Sequence, residues 1–532
     1  MKIFTKTVIV ILVVVGLFAL TPTGQYIFAA GNDLYRKLEV FQEMIQLINT
    51  QYVEPVDWDS TMEGAFKGLM DALDPHSIFI PPDRVDNINE SFKGNFEGIG
   101  IEFDILNDYI TVISPIVGSP SDGLLNPGDQ LIKIDGESAY KITRDEVFKK
   151  LRGPKGSKVG LSVARAGLDE LLEITIIRDK IPIYSVLAKF LMDDDSTGYL
   201  LMNRFSATTS NEFITAVEEL KTQGMKQLLV DIRYNSGGYL DEVVKIIDDF
   251  LPGGEKIVYT RGRLKNANED YFSTGKAEFE KLPVMIMINR ASASASEILS
   301  GSLQDLDRAL IVGETSFGKG LVQRQYPMRD GSAIRVTVAK YFTPSGRLIQ
   351  RPYKNGDAEA YYEEIYDHDF DKVDSTKLAS RPIYHTKTGR VVYGGGGITP
   401  DVHLAPPGVL TKSTANIRRH SSRPFFTYAS EYAVKHPELK RDWEHFYDNF
   451  KYSEDELNQF YSIIDSLGIK IDRLELTEDE NIIQNYLKSE LAAQLWGRNE
   501  QYEVRTELDD QIQEAMQHWT EAREIGHAGG YL

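Results

Sequence analysis

A run of serines among alanines, "NRASASASEIL" from Asn289 to Leu299, stands where an apolar segment, Val284 to Ile288, gives way to a helical pattern. Further on, "GETSFGKGLVQ", Gly313 to Gln323, sets one lysine between two glycines. A hydroxyl on a tight strand-to-helix turn is held out from its sheet as a nucleophile, and a lysine lodged in packed backbone can lose its proton and act as a base. The usual base is missing here, because His76 is followed by no histidine until His368. With no cysteine in the chain, a Cys/His nucleophile is excluded. A lysine titrates near ~10.4 in water and needs apolar surroundings or nearby positive charge before it can take a proton near neutral pH. Phe317, Leu321 and Val322 can supply the apolar surroundings. The pattern points to a Ser/Lys hydrolase in which Ser292, Ser294 and Ser296 are all open as the nucleophile.

Each segment also has a plainer reading. Ser294 and Glu297 fit a capping box, S-x-x-E, before a helix marked by Ile298, Leu299, Leu303 and Leu306. "GETSFGKG" after "ALIVG" comes close to a phosphate-binding loop, but position 320 is Gly where a magnesium-ligating hydroxyl would stand. The residues after Gly320 alternate like a strand, not a helix. "LLVDIRYNSGGYLDEV" reads as a buried strand, Leu228 to Ile232, a turn, and a helix from Asp241. Gly237 and Gly238 in that turn let successive backbone N–H groups face one spot, where they would stabilise an oxyanion.

These segments fall in one order with others: "YVEPVD", "LDPHS", "GIGIEF", "PGDQLIKIDG" and "GGITPDV". Together they resemble the C-terminal processing peptidases, or tail-specific proteases, over about Tyr52 to Leu404. The resemblance implies that Ser294 is the nucleophile, Lys319 the general base and Gln323 the residue that orients the lysine. It also implies an oxyanion hole made by a glycine of the "NSGG" loop, Gly237 or Gly238, and by the amide after the nucleophile, that of Ala295. The implied enzyme needs no metal or organic cofactor and cuts protein substrates near their C-termini. A PDZ-containing scaffold with an inactive core is the alternative, whose mark would be loss of Ser294, Lys319 or Gln323; none is lost.

The elements that must carry these residues follow from the rest of the chain. Short strands with Gly and Asp turns between residues 92 and 180 look like a PDZ domain. Such a module adds a peptide as an extra strand and captures its terminal carboxylate in a loop of amides, here Gly98, Ile99, Gly100 and Ile101. Lys2 and Lys6 precede an apolar run from Val8 to Leu20, so residues 1–30 read as a signal peptide or membrane anchor. The expected place is outside the inner membrane, either periplasmic or anchored to its outer side. A net charge of −20 argues against nucleic-acid binding. The expected architecture is multidomain, α/β and β: an N-terminal helical region (31–91), the PDZ domain (92–180), an α/β serine-protease core (181–407), a linker (408–423) and a C-terminal helical domain (424–532). Helical stripes mark the last: Leu457, Phe460, Tyr461, Ile464 and Leu467; Ile483, Tyr486, Leu487, Leu491 and Leu495; Leu508, Ile512, Ala515, Met516 and Trp519. The helical ends, including Leu34 to Ile48, are candidates for pairing between copies, and the final "HAGGYL" reads as an apolar, flexible end.

Overall fold

The computed structural model describes residues 22–364 and 380–532, so the expected leader core, Val8 to Leu20, lies outside the described residues. The chain forms two compact units, Met1–Ala72 and Leu73–Leu532. In the first, α1 (Pro22–Gln51) is followed by α2 (Trp58–Asp71). Asp57 caps α2 by accepting the N–H groups of Asp59 and Ser60. Leu34, Leu38, Phe41 and Ile48 follow one face of α1 and are exposed. No helix among the described residues is long and apolar enough to cross a membrane.

The expected helical region 31–91 does not hold together as one piece, because residues from Leu73 onward belong to the second unit. There Ile78–Ile80 forms a strand, β1, with Ile80 fully buried, and Pro82–Lys93 forms α3. Three apolar residues make a strand only with a partner, and that partner is more than 250 positions away: Phe79 lies opposite Ile334.

A β module comes next: β2 (Asn95–Gly98), β3 (Ile101–Leu106), β4 (Tyr109–Pro115), β5 (Gln130–Ile134), β6 (Glu137–Ser138), α4 (Arg144–Leu151), β7 (Lys158–Ala164), β8 (Leu172–Ile177) and β9 (Asp179–Pro182). Its main sheet runs β3-β4-β5-β7-β8, and β2 pairs with β9. A two-residue turn, Asn107 and Asp108, both at positive φ, closes the β3–β4 hairpin. Thr143 and Glu146 form a capping box at the start of α4, whose Val147 and Leu151 enter the module's core.

The largest sheet is built from β10 (Val186–Leu191), β11 (Thr197–Met202), β12 (Gln227–Asp231), β15 (Val284–Ile288), β16 (Leu310–Gly313) and β21 (Val402–His403), in the order β10-β11-β12-β15-β16-β21. All neighbours are parallel except β10 and β11. Between its strands lie α5 (Thr209–Thr222), α6 (Leu240–Asp248) and α7 (Ala295–Asp305). A second sheet joins β1, β13 (Lys256–Gly262), β14 (Glu269–Phe272), β17 (Leu321–Pro327) and β18 (Ala333–Phe342). A short α8 (Ala358–Glu363) and the hairpin β19 (Ile383–His385)–β20 (Val391–Tyr393) complete this region.

A parallel sheet must be covered on both faces. Along β15, Val284, Ile286 and Ile288 pack with α5, α6 and α7, while Met285 and Met287 point to the other side. There α16 (Asp510–Ala515) and α17 (Trp519–Ala528) supply Ile512, Ala515, Trp519 and Ala522. The third C-terminal stripe therefore belongs to the large sheet rather than to a separate helical domain reaching residue 532, and Leu508 is exposed. The last residues are likewise fixed, not free: Tyr531 is 1% exposed in the main core, and Lys281 Nζ donates to its carbonyl at 2.8 Å.

The expected linker 408–423 is also corrected. Lys412–Arg419 is a helix, α9, capped by Thr411, with Ile417 fully buried. Asp479 holds the capping residue, accepting the Thr411 N–H at 3.0 Å and its hydroxyl at 2.7 Å. A polar segment reads as a linker until a partner satisfies its helix end. The remaining helices are α10 (Pro424–Lys435), α11 (Trp443–Asn449), α12 (Glu454–Ser466), α13 (Arg473–Glu478), α14 (Glu480–Leu495) and α15 (Arg498–Thr506). They share one core containing Ile417, Phe460, Ile464, Ile483, Leu487 and Leu491.

Candidate active site

Every residue of β15 is buried, and the chain leaves it at Asn289 through a turn that ends in Ser294, at φ 56° and ψ −112°. A non-glycine residue rarely adopts that conformation, and it persists only where the surroundings fix it. Asn289 N–H donates to Ser292 Oγ at 2.9 Å, Ser292 Oγ donates to the Ile232 carbonyl at 2.9 Å, and Ala293 N–H donates to the Asn235 carbonyl at 3.0 Å. Ser296 Oγ is committed to the same Asn235 carbonyl at 2.7 Å. Ser292 and Ser296 are fully buried. Of the serines left open by the sequence, Ser294 alone is partly exposed, at the N-terminus of α7 where Ala295 begins the helix.

Glu297 joins the serine turn to the lysine segment. It is fully buried. Its Oε2 accepts the Ser294 N–H and the Lys319 N–H, each at 2.8 Å. Its Oε1 accepts Ser316 Oγ at 2.6 Å and the Gly318 N–H at 2.7 Å. Burial pushes the carboxyl up, and these donors pull it back toward the ionised form. The capping glutamate of the sequence is thus the tie between the two chemical segments, a role invisible to an S-x-x-E pattern because two of its donors come from 21 and 22 residues away.

Lys319 is partly buried, and its Nζ donates to Gln323 Oε1 at 2.9 Å. Burial, aided by Arg335 on β18, lowers its pKa to about 8, while Glu297 and Asp74 work in the opposite direction. Gln323 lies on β17, where a register shift between Val322 and Gln323 marks a bulge that re-aims the side chain. Its Nε2 donates to the His76 carbonyl. Burial and the neighbouring Lys319 depress the His76 imidazole to about 3, so it is neutral at physiological pH. Its Nε2 and Nδ1 each lie 3.3 Å from a phenol, of Tyr361 and Tyr362 on α8. The sequence offered "LDPHS" only as part of a resemblance; the structure brings it beside the lysine.

Gly237 needs its missing side chain, since a Cβ there would sit 2.8 Å from Ser294 Cβ and 2.9 Å from the Ala295 nitrogen. Its N–H is engaged by Asn235 Oδ1 at 2.9 Å. Gly238 bridges Phe205 in the parallel sense, with Phe205 bonded to Gly237 O and Tyr239 N–H. In that pattern the Gly238 N–H faces away from Phe205. The loop is therefore at the serine, with one amide engaged and one turned outward.

Far along the chain, the Gly98–Ile101 loop is shaped by its carbonyls. Ser121 N–H and Oγ both bond Ile99 O, and Ile116 N–H and Ser119 Oγ bond Gly100 O. The Ile99 and Gly100 N–H groups meet no protein acceptor among the described residues. β3, which leaves this loop, is the edge of its sheet. The hairpin phase alternates bonded and unbonded pairs from Leu106–Tyr109, turning the Phe103 N–H and carbonyl to the open edge. Arg144 of α4 covers that carbonyl, donating from Nη2 at 3.3 Å.

Residues 196–359 match the family model for peptidase family S41, residues 89–164 that for the PDZ domain, and residues 420–497 that for a family of unknown function. A carboxy-terminal-processing protease of Bartonella bacilliformis is 38% identical over 325 residues, which cover 60% of this chain and 74% of that protein. The carboxy-terminal processing protease CtpB of Bacillus subtilis is 34% identical over 325 residues, 60% of this chain and 67% of that one. A photosystem II D1 C-terminal processing protease of known structure aligns with TM-score 0.34 and 24% identity, over 72% of this chain and 92% of that one. The chain belongs to peptidase family S41, among the carboxy-terminal processing proteases, and is a serine endopeptidase that carries a PDZ domain.

Proposed function

We propose that this protease is exported and cleaves protein substrates near their C-termini by a Ser/Lys mechanism. Ser294 Oγ attacks the peptide carbonyl, and its proton passes to neutral Lys319 Nζ. The tetrahedral oxyanion is held by the Ala295 N–H and by the Gly238 N–H, since the Gly237 N–H is already engaged by Asn235. As the carbon–nitrogen bond breaks, Lys319 gives the proton to the leaving amine, and water then hydrolyses the acyl-enzyme. Gln323 holds Lys319 through this cycle. The observation that carries the reading is the buried Glu297, whose Oε2 accepts backbone N–H groups of both Ser294 and Lys319. It fixes nucleophile and base in one frame, which is what proximity catalysis requires.

The test is hydrolysis of a peptide with a free apolar C-terminus. Ser294→Ala, Lys319→Ala and Lys319→Arg should each abolish it with the fold intact, the last because a guanidinium stays protonated. An active Lys319→Arg protein would sink the lysine base.

The PDZ module is proposed to take substrate tails, the carboxylate meeting the amides of Gly98 to Ile101 and the tail lying along β3. The basic, then apolar, start of the chain supports export to the periplasm or anchoring on the outer side of the inner membrane. Exposure of a C-terminal fusion to external protease in spheroplasts tests that placement. The exposed apolar stripe of α1 supports pairing with a second copy, checked by light scattering with Leu38→Glu and Phe41→Glu.

A further inference from the structure

The turn before β1 contains a buried acid that the mechanism above does not use. Asp74 is 6% exposed. Its Oδ1 accepts the His76 and Ser77 N–H groups, each at 2.9 Å, and Thr337 Oγ1 at 3.1 Å. Its Oδ2 accepts Ser77 Oγ at 2.6 Å, and that hydroxyl oxygen in turn accepts the Thr337 N–H at 3.2 Å. Thr337 on β18 is the register partner of Gln323 on β17. Asp74 thus binds the turn to the strand directly opposite the residue that touches Lys319, and the turn presents the His76 carbonyl to Gln323 Nε2.

That carbonyl decides which way the Gln323 amide faces. In the reversed orientation Oε1 would meet the His76 carbonyl, acceptor against acceptor, while the NH₂ would face the Lys319 ammonium donor against donor, or occupy the lone pair that the neutral amine needs for the serine proton. A glutamine free to rotate would spend part of its time that way, and Lys319 would lose its acceptor.

We propose that Asp74 is a positioning residue for the base: it builds the turn whose His76 carbonyl holds the Gln323 amide with Oε1 on Lys319 Nζ. The proposal rests on Lys319 being the base. It adds an electrostatic part, because the ammonium that forms when Lys319 takes the serine proton is faced by Arg335 from β18, Glu297 from α7 and Asp74 from this turn, with His76 neutral beside them. Two acids offset one guanidinium, and Asp74 is the one not otherwise tied to the Ser294 turn.

The experiment measures kcat and KM against pH for the full chain carrying Asp74→Asn or Asp74→Ala, with Lys319→Ala in parallel. Asparagine keeps an oxygen for the turn's N–H groups but removes the charge, so the acid limb of kcat should move down by about half a pH unit or more. Alanine releases the turn, and kcat should fall at least about tenfold while KM stays within about twofold. Should Asp74→Ala fail to fold, Thr337→Val, which removes the bond from Thr337 Oγ1 to Asp74 Oδ1, reads the positioning role in its place, with kcat falling and KM unchanged if the role holds. With Lys319→Ala inactive, an unchanged kcat in Asp74→Ala overturns the positioning role and an unmoved limb in Asp74→Asn overturns its electrostatic part, and in either case the lysine base stands. An active Lys319→Ala protein overturns both.

Discussion

The mechanism proposed for the Ser294 hydroxyl and the Lys319 amine depends on one carboxylate and one depressed pKa. With Lys319 at about 8, a base at this position would be mostly protonated at neutral pH and would become competent as pH rises. kcat/KM should therefore climb about tenfold per pH unit below that value and level off above it. A profile that is flat from pH 6 to 9 would contradict a lysine base. Glu297 gives a second prediction. Both its oxygens accept from two donors each, so either orientation of a glutamine would set an NH₂ against a pair of donors. Glu297→Gln should cost roughly 1.5–3 kcal/mol for each charge-assisted bond lost and lower kcat with it. Chemical denaturation and steady-state kinetics check this, and an unchanged protein would show that the carboxylate is dispensable.

Strand ends and edges decide what these residues can reach. The serine and the glycine loop stand at the C-terminal ends of β15 and β12, neighbouring parallel strands, as expected for a site at the carboxyl edge of an α/β sheet. β3 offers a different resource, a free edge whose Phe103 carbonyl is occupied by Arg144. Asp104 Oδ1, 3.5 Å from Arg144 Nη1, also accepts the Ile105 N–H at 3.0 Å, so the outward-facing groups on either side of Asp104 are covered. An incoming tail added antiparallel to β3 must displace the guanidinium from that carbonyl. Arg144→Ala should therefore tighten binding of a free-carboxylate peptide several-fold, a contact of this kind being worth about 1 kcal/mol. Fluorescence anisotropy on the Ser294→Ala protein reads it out; weaker binding would mean that Arg144 contacts the tail instead of guarding the edge.

In the second unit, the C-terminal helices and the protease sheet are one structure as well as two sequence regions. α16 and α17 cover the face of the large sheet that α5, α6 and α7 leave open, and Arg233, just after β12, ties this end of the chain down through Asp509 and Gln511. If the PDZ module delivers tails to Ser294, a peptide with its C-terminal carboxylate amidated should be cleaved more slowly than the free acid, mainly through KM. Equal kcat/KM for the two would remove tail capture from the account. The expected flexible end "HAGGYL" is instead held down, since Tyr531 is buried in the core under Lys281 and Lys387.

Residue type and local period were enough for every feature that depends on neighbours along the chain. The serine and lysine segments, the absence of histidine between His76 and His368, the strand character after Lys319, the glycine turn after Ile232 and the helical stripes through Phe460 and Leu487 are all legible in the order of residues. Which serine of the run stays exposed was settled by the assembled fold, because Ser292 and Ser296 are withdrawn by carbonyls of Ile232 and Asn235 from another strand-to-helix turn. Folding also brought Asp74 and His76 to Gln323 and made a helix of an expected linker through Asp479. An apolar stripe tells that a helix will bury one face, not which face will receive it; α16 and α17 lie on the protease sheet because a parallel sheet with alternating buried residues must be covered twice.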